Sequence, residues 1–208
     1  TLKFNSVAAQ MSRGKSEKTV AFAMSSVAAT LAKFSMDVCL YMSQNFDFIS
    51  LPAHLTTGSS IMPHKKNPDV FELIRGKCNK IQALPYEITL ITNNLPSGYH
   101  REFQLLKEGL FPAIQNLKAC LDIAIFSIKD IKVKDNILAD PKYNYLFTVD
   151  TLNEMVVAGM PFRDAYKAVA EQLENGTYES PKATQHTHEG SINNLCLKEI
   201  KEKMQNAF

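Results

Sequence analysis

The residue types that could do chemistry are concentrated in one short segment, residues 57–68. Two hydroxyls, on Ser59 and Ser60, follow a glycine, and Lys65 and Lys66 form the only adjacent pair of Lys or Arg residues in the chain. Two cations are too few to neutralise a nucleic-acid backbone but enough to meet one small dianion. A helix predicted at the end of the segment would add free backbone amides and the positive end of its dipole. The segment therefore predicts a site for a small acidic ligand.

Composition narrows the class of protein further. The 23 basic and 21 acidic residues are interspersed and leave a formal charge of +2, so no basic tract predicts a nucleic-acid partner. No uninterrupted apolar run approaches the roughly 18 residues of a membrane span, so we expect no membrane partner. The 4 cysteines lie far apart without a Cys-x-x-Cys spacing, which is typical of free thiols. We therefore expect a cytoplasmic globular protein.

The full segment, Thr-Gly-Ser-Ser-Ile-Met-Pro-His-Lys-Lys-Asn-Pro, resembles the GSSxMPxKxNP signature of the fumarase and aspartase superfamily. Members of that superfamily eliminate fumarate from succinyl-containing substrates. Removing a proton beside a carboxylate creates a doubly negative aci-carboxylate, which a cation and hydrogen-bond donors must stabilise. The resemblance implies that Ser59 is the catalytic base and that Lys65 stabilises its alkoxide and the intermediate. It also implies that Ser60 and Asn67 bind the succinyl carboxylates.

A second segment, residues 95–107, resembles the stretch of argininosuccinate lyases that contains a substrate-binding Tyr, Gln and Lys. The resemblance implies that Tyr99 and Lys107 bind the succinate carboxylates and that Gln104 meets the arginine end of the substrate. Residues 159–166 resemble the terminal domain of the same family, so the likeness covers nearly the whole chain. It implies β-elimination of argininosuccinate to arginine and fumarate, in arginine biosynthesis, without a metal or organic cofactor.

Family members are longer than this chain, and their earlier regions contribute the histidine linked to acid catalysis. Their active sites are assembled from several subunits of a homotetramer. The resemblance therefore implies that this chain supplies one wall of the site and is inactive alone.

These residues must be positioned by long helices. Apolar residues at spacings of three and four predict a first long helix, a second that begins at Pro68 with Asn67 as its cap, and a third that reaches about residue 128. The apolar stripe of the first helix comprises Val20, Met24, Val27, Leu31, Phe34, Val38 and Tyr41. The apolar stripe of the third helix comprises Leu106, Leu110, Ile114, Leu117, Leu121, Ile125 and Ile128.

Beyond Asp130 the helical pattern becomes shorter, with one helix predicted from Tyr143 to Ala158 and two more after it. The fold prediction is all-α: a long-helix bundle section of the fumarase/aspartase superfamily followed by a small helical C-terminal domain. The predicted domains are residues 1–138, with the signature loop at 57–68, and residues 139–208.

Several alternatives remain at this point. An adenylosuccinate lyase-type enzyme, a non-catalytic crystallin-like relative and a module that serves mainly in assembly are all compatible with the sequence. His186 and His188 offer only two nitrogens, so no metal site is predicted. Where many family members have Arg-Asp, this chain has Arg13 and Gly14, which puts any role of that carboxylate in doubt.

Overall fold

The computed structural model describes residues 3–181 and 186–207, and their regular structure is almost entirely helical. The helices are α1 (Ser6–Met11), α2 (Lys15–Tyr41), α3 (Asp69–Gln82), α4 (Leu84–Thr92), α5 (Leu106–Ile128), α6 (Thr148–Val157), α7 (Phe162–Glu174) and α8 (Leu197–Gln205). Short 3-10 helices span Ala53–Leu55, Arg101–Gln104, Ile137–Ala139 and Pro141–Phe147. Two strands of two residues each, β1 (Ile49–Ser50) and β2 (Lys132–Val133), pair antiparallel. The all-α prediction is confirmed, although these two strands were not predicted.

The chain divides into two compact units, Thr1–Asp135 and Asn136–Phe208. In the first unit, α2, α3, α4 and α5 pack around one apolar core. In the second, α6 and α7 pack through Leu152, Ala165 and Val169.

The buried face of α2 is made largely of small residues. Its buried members are Ala21, Met24, Ala28, Leu31, Ala32, Ser35 and Val38. Small side chains allow the neighbouring helix axes to approach closely, whereas Val20, Val27 and Tyr41 are 45%, 44% and 38% exposed. These three residues of the predicted apolar stripe therefore lie outside the core of this chain, because α2 carries two apolar faces and only the one with the small residues packs inside it.

The start of α3 differs from the prediction by one residue. The helix begins at Asp69, and Pro68 rather than Asn67 stands at the N-cap, without a side-chain capping bond. Asn67 does not cap the helix because its backbone pairs with Thr57 instead. The buried face of α3 contains Phe71, Ile74, Cys78 and Ile81.

Helix α5, like α2, has both buried and exposed apolar residues. Leu106, Leu110 and Leu117 are buried as predicted, but Ile125 and Ile128 are 57% and 49% exposed. By length and mean hydropathy, α2 and the helical stretch 101–128 would qualify as membrane spans. The core helices of a bundle pass the same test, and both helices contribute to this core, so the finding is weak evidence for a membrane partner.

In the second unit, the helix predicted from Tyr143 begins later. Residues Pro141–Phe147 form a 3-10 helix, and α6 starts at Thr148. His186 Nε2 lies 2.7 Å from Asp150 Oδ1, and the His186 and His188 rings meet edge to face. Among the described residues, no group of three or more His, Cys, Asp or Glu side chains could hold a metal ion.

The pKa of the buried Cys78 thiol provides a test of this core. Burial and the adjacent Cys120 raise the pKa of Cys78 to about 12. The thiol of the unfolded chain loses its proton at a lower pH than the buried thiol, so the native state binds more protons in alkaline solution. The stability that the thiol contributes therefore declines as pH rises from about 9 towards 12. We expect the difference in unfolding free energy between wild type and Cys78→Ala to shrink by about 1–2 kcal/mol from pH 8 to pH 10.5. Urea unfolding at both pH values measures it; a constant difference would contradict the burial of this thiol.

Candidate active site

The two ends of the signature loop, Thr57 and Asn67, are paired with each other. Thr57 N–H donates to the Asn67 carbonyl at 3.2 Å, and Asn67 N–H donates to the Thr57 carbonyl at 2.8 Å. The Thr57 hydroxyl also donates to the carboxylate of Asp69, the first residue of α3. These bonds close the loop at its base and attach it to the rigid helix that follows.

Ser59 occupies a position that favours negative charge on its oxygen. Its Oγ accepts the backbone N–H groups of Ile61 at 3.2 Å and Met62 at 3.1 Å. The next turn is closed by Lys65 N–H, which donates to the Met62 carbonyl at 3.0 Å. Hydrogen bonds donated to the charged form of a group stabilise that form, so this pair of amides is suited to an alkoxide. Ser59 is half-buried, whereas Ser60 beside it is exposed.

The loop also borders a cavity of about 660 Å³. Lys65, Lys66 and Asn67 line it together with Asp47 and Glu72. Its volume lies in the range of pockets that hold small molecules. Ser59 and Ser60 do not line this cavity, and the Lys65 ammonium makes no hydrogen bond to Ser59 within the described part of the chain.

A second group of polar side chains surrounds the 3-10 helix Arg101–Gln104. Gln104 Nε2 donates to the Tyr99 hydroxyl oxygen at 3.2 Å, so the structure brings these two predicted residues together. The Arg13 guanidinium lies over the Tyr99 ring, 4.6 Å from its centroid. Lys107, in the first turn of α5, is exposed, and no hydrogen bond joins it to either of them in the described part of the chain.

The predicted site residues therefore fall into two groups. In residues 3–181 and 186–207, no hydrogen bond, ion pair or ring contact joins Ser59, Ser60, Lys65 or Asn67 to Tyr99, Gln104 or Lys107. Arg13 was not among the predicted site residues, and its place in the sequence next to Gly14 was the signal that could have pointed to it.

Gly14 sets the path of the backbone beside Arg13. Its φ is +80°, and a Cβ at this position would lie 2.7 Å from Thr92 Cγ2 and 3.1 Å from Phe103 Cε1. Glycine adopts this backbone conformation readily, and an aspartate here would be strained and would clash. Position 14 of this structure thus accommodates a glycine without strain and a larger residue only with strain.

The sequence was compared with known proteins. A family model described as "Lyase" matches residues 5–83. An argininosuccinate lyase of Parabacteroides distasonis is 56% identical over the entire chain, which covers 47% of that relative, and one of Stenotrophomonas maltophilia is 34% identical over 98% of the chain, covering 48% of that relative. The chain thus spans about half the length of the curated relatives that it matches.

Solved structures show the same fold. A class II fumarase of Schistosoma mansoni has a TM-score of 0.70 at 20% identity, covering 95% of this chain and 40% of the fumarase. A fumarate lyase:delta crystallin of Brucella melitensis, in native form, has a TM-score of 0.67 at 20% identity, covering 85% of this chain and 39% of that one.

Residues 5–83 thus match a lyase family, and the chain has the fold of the solved fumarase and fumarate lyase structures. Its sequence is similar over its whole length to argininosuccinate lyases, as the second motif predicted.

The contact between Gly14 and Thr92 can be tested by a double-mutant cycle. We expect Gly14→Ala to lower the unfolding free energy by about 1–3 kcal/mol, because the new Cβ is strained at this φ and meets the Thr92 methyl group. Thr92→Ser removes that methyl while keeping the hydroxyl that donates to the Ile88 carbonyl at 2.9 Å. In that background the cost of Gly14→Ala should decrease by about 1 kcal/mol, leaving the backbone strain. Equal costs in both backgrounds, measured by urea unfolding, would contradict the close approach.

Proposed function

We propose that this chain is part of an argininosuccinate lyase, a carbon–nitrogen lyase that eliminates fumarate from argininosuccinate and releases arginine. The observation that carries the proposal is the Ser59 oxygen, held by two backbone amides inside the signature loop. Identity of 53–56% to relatives named argininosuccinate lyase favours this substrate over that of an adenylosuccinate lyase-type enzyme.

In the proposed reaction, Ser59 as an alkoxide removes the proton from the carbon beside a succinyl carboxylate. The amides of Ile61 and Met62 stabilise the alkoxide before the transfer, and Lys65 stabilises the dianion that follows. The electrons of the broken C–H bond form the double bond of fumarate as the C–N bond breaks. The departing guanidino nitrogen takes a proton from an acid that we expect outside this chain.

The other predicted residues bind substrate in this scheme. Ser60, Asn67, Tyr99 and Lys107 would bind carboxylates, and Gln104 the arginine end. A β-elimination of this kind needs no electron donor or acceptor, and we expect neither a metal nor an organic cofactor. All of these residues lie in the bundle domain that we propose for residues 1–138; the domain proposed for residues 139–208 supplies none of them.

The exposed apolar surface of α2 and α5 supports association with other polypeptide chains. Phe22, Val27, Phe111 and Ile125 are between 44% and 57% exposed, and large apolar faces of this kind are typical of protein–protein interfaces. We propose that these faces are covered in a homotetramer of a longer polypeptide, in the cytoplasm.

The role of Ser59 has a direct test. In the intact enzyme that contains this chain, Ser59→Ala should lower kcat for fumarate release from argininosuccinate roughly 10²- to 10⁴-fold, since the base is lost. Ser26→Ala is a matched control, because the Ser26 hydroxyl donates to the Phe22 carbonyl of its own helix at 3.2 Å. Fumarate absorbance reports the rate. Equal rates for Ser59→Ala and Ser26→Ala would exclude Ser59 as the base, whereas no activity in wild type would exclude the proposed substrate.

The 208-residue chain on its own should show no measurable fumarate release. We expect this because the proton donor and the other subunits of the site are proposed to lie outside it. The same absorbance assay on the purified chain, with the intact enzyme as positive control, measures it. Turnover by the chain alone would contradict the proposed shared site.

A further inference from the structure

Arg13 lies in contact with a predicted substrate-binding residue, yet no role is assigned to it. Its guanidinium stacks over the Tyr99 ring at 4.6 Å from the centroid, and a cation–π contact of this kind positions the group without using its N–H donors. Among the described residues, no carboxylate forms an ion pair with Arg13. The guanidinium is therefore held in place with its donors available to an anion.

The surrounding contacts fix this arrangement from both sides. Gly14, buried and with φ +80°, packs its backbone within reach of Thr92 and Phe103, so the residue before it is held beside the 3-10 helix Arg101–Gln104. The Tyr99 ring in turn lies 6.4 Å from the Phe103 ring, centroid to centroid. The same phenylalanine thus supports both the turn that carries Arg13 and the ring on which Arg13 stacks.

Hydrogen-bonding capacity indicates what this cluster would recognise. The Tyr99 oxygen accepts from Gln104, which leaves the Tyr99 proton free to be donated. The guanidinium offers several N–H donors in a planar fork that matches a carboxylate, and it has no acceptor. Two side chains of this one cluster therefore offer hydrogen-bond donors, and a carboxylate is a group that accepts from both.

We propose that Arg13 binds a carboxylate of the succinyl part of the substrate, together with Tyr99. The proposal rests on the proposed function. The guanidinium of Arg13 would repel the positively charged guanidino end of argininosuccinate, which is why the succinyl end is favoured.

The experiment compares Arg13→Ala, Arg13→Lys and Lys15→Ala in the intact enzyme. Lys15 is an exposed cation two residues away that is in no described side-chain contact, so Lys15→Ala controls for the loss of one charge. We expect Arg13→Ala to raise KM for argininosuccinate roughly 10- to 100-fold with a much smaller change in kcat, since a charged hydrogen-bonding partner is lost. Arg13→Lys should recover part of the loss, and Lys15→Ala should behave as wild type.

Succinate serves as a second probe that does not depend on turnover. Its dissociation constant, measured by calorimetry, should rise by a similar factor in Arg13→Ala but not in Lys15→Ala. Thermal melting of each variant checks the fold, and Arg13→Gln replaces Arg13→Ala if the latter does not fold.

The outcomes separate this inference from the function on which it rests. If wild type releases fumarate but Arg13→Ala has unchanged KM and succinate affinity, Arg13 does not bind the succinyl carboxylate and the proposed function stands. If wild type releases no fumarate, the proposed function fails, and succinate affinity alone decides about Arg13: a selective loss in Arg13→Ala supports it, and equal or undetectable binding overturns it.

Discussion

Close packing of α2 against α3 is the constraint on which the rest of the first unit depends. Ala28, Ala32 and Ser35 on α2 are buried with 0–8% exposure, and small side chains let a neighbouring helix approach closely. Phe71 of α3 is fully buried and meets the Phe34 ring edge to face at 5.9 Å. The first turn of α3 is thereby fixed, and with it Asp69, which holds the returning end of the signature loop.

The chemistry of the loop follows from this attachment. A loop that is closed at Thr57 and Asn67 has few ways to arrange the residues between them, and the amides of Ile61 and Met62 converge on one hydroxyl oxygen. Amides that already point at a developing charge need no reorganisation when the charge appears. In this way the packing of two helices supports the oxygen that we propose as the base.

The two apolar faces of α2 and α5 connect the fold to assembly. One face of each helix, made largely of Ala and Leu, packs inside the chain, and the other leaves Phe22, Val27 and Ile125 exposed. An exposed apolar face has a free-energy cost in water that burial against partner helices removes. These exposed faces support the association that we propose for the longer polypeptide.

The sequence by itself determined the class of fold, the order of the long helices, the position of the loop and the family. Helical periodicity, proline positions and the signature motif are local features, and they were sufficient for that. The sequence did not determine which apolar face of α2 is buried, because a face that contains Val20 and one that contains Ala21 both have helical spacing. The face with Ala21 is buried because α3 packs close to it. The sequence also could not place Arg13 on Tyr99 or explain Gly14. Those contacts join residues far apart in the chain, and their geometry arises only when the helices between them have packed.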